Sequence, residues 1–126
     1  MRSFATTTAG SDVERSFMLK YTYVDDAYYK RIPHREAHEE HISKFIKSNQ
    51  TDILAAPFFP YSGSVFFIEK QEVVEGENMR STIEQFVKSD PYFQKNLIKS
   101  YELRPVAMTH KKRDFDRLAE EYLIRS

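Results

Sequence analysis

Three histidines, His34, His38 and His41, fall at spacings of four and three. In a helix those spacings set the imidazoles along one stripe, an arrangement from which zinc or copper sites are built. The remaining ligands of such a site are missing from the pattern: the chain has no cysteine and no His-Glu-x-x-His run, and Glu39 and Glu40 face away from the stripe. No metal and no other cofactor is therefore assigned. His38 shares its helical face with Ile42 and Phe45 and so points inwards. An inward imidazole serves either as a proton-transfer group or as a buried histidine bonded to a carboxylate for structural reasons, and the residues alone leave both readings open.

The elements that must position His38 are legible from periodicity. Residues 17–24, FMLKYTYV, alternate, with Phe17, Leu19, Tyr21 and Tyr23 on one face, which predicts a strand. Asp25 and Asp26 end it and are placed to cap a short helical piece that Pro33 interrupts. The main helix is expected over residues 34–48. Residues 53–59 and 64–69 are apolar runs around a turn at Tyr61-Ser62-Gly63, an antiparallel hairpin. A second helix, capped by Asn78 and carrying Met79, Ile83, Phe86 and Val87 inwards, runs to Ser89, where Asp90-Pro91 stops it. A last strand is expected over about 97–106. The order β-α-β-β-α-β is the ferredoxin-like signature, an α+β fold with a four-stranded antiparallel sheet.

Two segments flank this unit. Residues 1–16 contain six Ser/Thr, Arg2 and Arg15 and no acid before Asp12, a transit-peptide-like composition that predicts mitochondrial import. Residues 107–126 are expected to form an amphipathic helix whose stripe of Phe115, Leu118, Tyr122 and Leu123 needs a partner surface. Lys111-Lys112-Arg113 reads as its solvated first turn. Lysine plus arginine equals aspartate plus glutamate at 19 each, so no net field favours nucleic acid or an anionic membrane surface. No apolar run approaches the roughly 20 residues that span a bilayer.

Arg35-Glu36-Ala37-His38, Ser62-Gly63-Ser64 and Asp90-Pro91-Tyr92 stand in an order that resembles the YCII-related family, a dimeric ferredoxin-like α+β barrel, over residues 17–106. The resemblance implies that His38 and Asp90 form a catalytic pair lining a pocket beside the sheet. Implied activities are lyase- or isomerase-like reactions on small ring compounds, including a dehydrochlorination. The chain also departs from the family pattern. Gln50-Thr51 replaces a glycine before the second strand, and Ala55-Ala56-Pro57 replaces Ala-Gly-Pro, so that Ala56 is expected to crowd the pocket floor while Phe58, Phe59 and Tyr61 fill its entrance.

Two functions follow from these observations. The retained pair supports a cofactor-free lyase or isomerase in which His38 moves a proton and Asp90 orients it. The altered pocket and the two extensions support a non-catalytic accessory subunit of a larger mitochondrial assembly of respiratory-chain or ATP-synthase type, docked through its sheet face and terminal helix. The second reading is the one the sequence favours.

Overall fold

The computed structural model describes residues 15–108 with the exception of Val73; the expected N-terminal extension before Arg15 and the helix carrying Phe115, Leu118, Tyr122 and Leu123 lie outside the described residues. Strand β1, Ser16–Tyr23, buries the face its alternation predicts: Phe17, Leu19, Tyr21 and Tyr23 are all in the core. It ends at an acidic turn in which Asp26 adopts a left-handed conformation, φ 65°, and makes no side-chain cap, contrary to the expected capping role. A short helix α1, Ala27–Lys30, and a 3-10 turn, Ile32–His34, follow. Pro33 sits in the first turn of that 3-10 piece, where a missing N–H leaves no bond unmade.

Helix α2, Arg35–Asn49, then carries His38 and Phe45 inwards. Its end is set by Gln50, whose φ of 50° is the left-handed conformation that glycine reaches without steric cost. Strands β2, Thr51–Pro57, and β3, Gly63–Lys70, pair antiparallel. The hairpin loop is longer than the apolar run suggested, because Phe58 and Phe59 leave the sheet. Gly63 is required where β3 closes on β1: a Cβ there would lie 2.2 Å from the Tyr21 carbonyl oxygen.

Helix α3, Met79–Ser89, begins where the Asn78 side chain accepts a hydrogen bond from the Ser81 N–H at 3.0 Å, and it buries Met79, Ile83, Phe86 and Val87 as expected. One-turn helix α4, Pro91–Gln94, and strand β4, Ile98–Pro105, complete the order. The sheet is antiparallel throughout with strand order β2-β3-β1-β4, the ferredoxin-like arrangement. Both longer helices contribute to the core on the face of Leu19, Tyr21, Phe66 and Ile68. No helix among the described residues is long and apolar enough to cross a membrane.

Register decides which way each strand residue points. Ala55 pairs with Phe66 and Pro57 with Ser64, on the helix side; Ala56 pairs with Val65 and belongs to the opposite face, with Met18, Leu54 and Phe67. The core rests on α3. Replacing the fully buried Ile83 by alanine should lower stability by about 2–5 kcal/mol, read by urea unfolding, with the fold otherwise retained.

Candidate functional site

Asp90 occupies the junction between α3 and α4. Pro91 excludes the helical conformation for the residue before it, and Asp90 is accordingly extended, φ −64° and ψ 128°. That break turns its side chain back towards the first turn of α4, where Oδ1 accepts the Tyr92 N–H at 2.9 Å. The same carboxylate reaches into the core. Oδ1 accepts His38 Nδ1 at 2.8 Å and Oδ2 accepts the Tyr21 hydroxyl at 2.8 Å. Asp90 is 0% exposed, so all three donors are needed to replace the water it has lost.

The carboxylate fixes the imidazole. Because Asp90 can only accept at this contact, Nδ1 of His38 carries the proton, and in the neutral ring Nε2 keeps the free lone pair. The ring lies flat on Tyr92, with centroids 3.8 Å apart and planes within 6°. His38 is 7% exposed, and Nε2, which no group among the described residues bonds, opens on the cavity that His38 lines.

That cavity holds about 860 Å³. Its sheet side is Tyr23, Ser64 and Phe66, its helical side Tyr28, Arg31 and Arg35, and the hairpin loop adds Phe58, Phe59 and Tyr61. The expected obstruction is therefore absent: Ala56 faces away, and Phe59, 101% exposed, forms part of the rim rather than a plug.

The hydroxyls of Tyr21 and Tyr23 are donors. Burial, and then the charge of Asp90, raises the pKa of Tyr21 well above the ordinary phenol value. Burial likewise raises Tyr23, which donates to Ser64 Oγ at 3.1 Å. Tyr92 is pushed up to about 12 by burial and by Tyr61, with Arg31 pulling the other way. All three stay protonated at neutral pH.

The other histidines of the stripe do not join His38. Nε2 of His41 donates to the Phe86 carbonyl at 2.8 Å and its ring stacks on Phe86 at 4.6 Å. No group of three histidine, cysteine, aspartate or glutamate side chains among the described residues is arranged to hold a metal. Sequence reasoning brought His38 and Asp90 together through the family resemblance and missed Tyr21, Arg31 and Tyr92. Tyr21 sits in plain alternation with core residues, and nothing in that pattern distinguishes a hydroxyl with a buried partner from an ordinary core tyrosine.

Fold and site together describe a ferredoxin-like domain with a buried His–Asp pair at the wall of an open cavity. No protein-family model and no curated protein sequence matches the chain. Its structure is similar to 5-chloro-2-hydroxyhydroquinone dehydrochlorinase (TftG) from Burkholderia phenoliruptrix AC1100, solved in complex with 2,5-dihydroxybenzoquinone, at a TM-score of 0.54 and 16% identity over 79% of this chain and 98% of that one. The favoured expectation of a non-catalytic accessory subunit is corrected here. It rested on the altered pocket and on the two extensions; the extensions lie outside the described residues, the cavity beside His38 is open, and the similar chain is an enzyme.

The hydrogen bonds around Asp90 rank two substitutions. Tyr21→Phe removes a donor from a buried carboxylate and should cost about 1.5–3 kcal/mol, whereas Tyr23→Phe removes a neutral bond and should cost about 0.5–1.5 kcal/mol. Parallel urea unfolding of the two variants checks that order.

Proposed function

We infer that the protein is a cofactor-free lyase or isomerase of YCII-related type, acting on a small organic substrate through His38 and Asp90. The observation that carries this reading is the 2.8 Å contact that fixes Nδ1 of His38 as the donor while Nε2 opens on the cavity. Nε2 takes a proton from a carbon next to a carbonyl, and the C–H electron pair moves into the carbonyl as an enolate. The imidazolium so formed stays hydrogen-bonded to the buried Asp90 carboxylate, which offsets its charge. The enolate then collapses in one of two ways. A leaving group departs from the neighbouring carbon with its bonding electrons, an elimination, or the proton returns from Nε2 to a different carbon, an isomerisation.

The reaction named for the similar enzyme is of the first kind, because dehydrochlorination removes a proton and a chloride. The cavity suits a ring-sized substrate, with aromatic walls from Tyr23, Tyr28, Tyr61 and Phe66. A homodimer belongs to this reading: the face of Met18, Leu54, Val65 and Phe67, opposite the core, is the surface a second copy would cover. Sedimentation should then give about twice the 14.9 kDa chain mass, and a monomer at micromolar concentration would remove that part.

The catalytic assignment is tested on chlorinated hydroxyquinols and cyclic ketones followed by proton NMR in D2O and by halide release. Turnover by the wild type should fall about 10²–10⁴-fold in His38→Gln, assayed at a temperature where that variant, destabilised by about 1.5–3 kcal/mol through loss of the Nδ1 donor to Asp90, is still folded. Turnover that His38→Gln leaves intact would remove His38 from the chemistry.

A further inference from the structure

Arg31 ends helix α1 and lines the same cavity as His38, yet the proton-transfer chemistry does not use it. Its guanidinium carbon lies 4.6 Å from the Tyr28 ring centre and 4.9 Å from that of Tyr61. Those two rings meet edge to face, 5.6 Å apart, and make a corner that holds the cation from two sides. A third phenol, that of Tyr92, is close enough to interact with it electrostatically. The rings cover part of the guanidinium without supplying a counter-charge. Arg31 forms no ion pair with a carboxylate among the described residues, and its Nε is withdrawn from solvent without an acceptor.

The neighbouring arginine behaves differently. Arg35 bonds Glu39 through its Nε at 3.3 Å, one turn along α2 and in solvent. Of the acids on the cavity wall, Glu39 is thus engaged by Arg35, and Asp26 lies on the exposed turn without an ion pair to Arg31. A guanidinium held between two rings, with no carboxylate partner among the described residues, is suited to planar, two-point recognition of a carboxylate.

Tyr92 relates this group to the base. The face of its ring stacks on His38, and its side chain interacts with Arg31, so a ligand held by Arg31 lies in the cavity that His38 also lines. We propose that Arg31 is the anion-recognition residue of this cavity and that the substrate carries a carboxylate, which Arg31 holds while the carbon to be deprotonated is presented to His38. This rests on the proton-transfer reading for its purpose, but its test does not.

The test is equilibrium binding to the full chain, by titration calorimetry, of 2,5-dihydroxybenzoate and of its neutral counterpart 2,5-dihydroxybenzamide. The wild type should bind the carboxylate at least about tenfold more tightly than the amide, the factor expected of a charge-assisted contact worth about 1.4 kcal/mol or more. Arg31→Met should weaken the carboxylate to the level of the amide and leave the amide unchanged, whereas Arg31→Lys, which keeps the charge and loses the fork, should retain part of the preference. Unchanged amide affinity and a matching thermal melt show that Arg31→Met is folded. Equal affinity for the two probes in the wild type, binding of neither, or a preference that survives Arg31→Met would overturn the proposal. His38→Gln should keep the preference, so loss of turnover in that variant and loss of anion selection in the other report on separate claims.

Discussion

A buried carboxylate sets the terms for this domain. Removing Asp90 from water carries a penalty of several kcal/mol unless donors replace the lost hydration, and the three that do so come from different elements: Tyr21 from β1, His38 from α2 and the Tyr92 N–H from the first turn of α4. None of these elements can shift by an ångström without leaving the carboxylate short of a partner. The sheet and α2 are thereby tied to the α3–α4 junction by polar contacts as well as by the apolar core around Leu19, Phe66 and Ile83. The geometry of the His38–Asp90 pair is a by-product of the fold's own need to satisfy that charge.

A satisfied histidine–carboxylate pair is common in protein interiors and does not by itself imply chemistry. Helix α2 supplies the comparison that separates the two cases. His41, one turn on from His38, commits Nε2 to the Phe86 carbonyl and its ring face to the Phe86 ring, so it works as a bolt between α2 and α3. His38 is held just as firmly, by Asp90 and Tyr92, but through Nδ1 and one ring face only. The basic nitrogen is left towards the cavity. What differs between His41 and His38 is which nitrogen the structure consumes, and the proposed proton transfer rests on that difference.

Much of the fold was legible because β1 and α3 follow their periods cleanly: Phe17, Leu19, Tyr21 and Tyr23 alternate, and Ile83, Phe86 and Val87 recur at helical spacing. The hairpin was less so. In the run from Ile53 to Phe59 both alternating sets are apolar, Ile53, Ala55 and Pro57 against Leu54, Ala56 and Phe58, so a period of two cannot say which set faces the helices. Pairing with Phe66 settles it and sends Ala56 to the far side. The inward direction of His38 followed from its shared face with Ile42 and Phe45. Asp90 was visible as a helix stop, and its partnership with His38 came from the resemblance of Asp-Pro-Tyr and Arg-x-x-His to a family, because contacts across 52 residues leave no periodic trace. Arg31 left no trace for a similar reason. Its significance lies in an acid partner it lacks, and partners are a property of three dimensions.

The charges of the cavity are kept apart by Tyr92. Its backbone N–H serves Asp90, its ring face supports His38, and its side chain interacts with Arg31, so one residue meets the anion, the base and the cation in turn. Were Arg31 to pair with Asp90 directly, the carboxylate would no longer be available to offset an imidazolium, and the guanidinium would have nothing left for a ligand. A phenol whose pKa is pushed up to about 12 by burial and by Tyr61 resists becoming an anion itself and so does not neutralise Arg31. The spacer is neutral by construction. What results is a cavity whose cation and imidazole are both in contact with one neutral aromatic side chain, the separation on which the proposed handling of an anionic ring substrate depends.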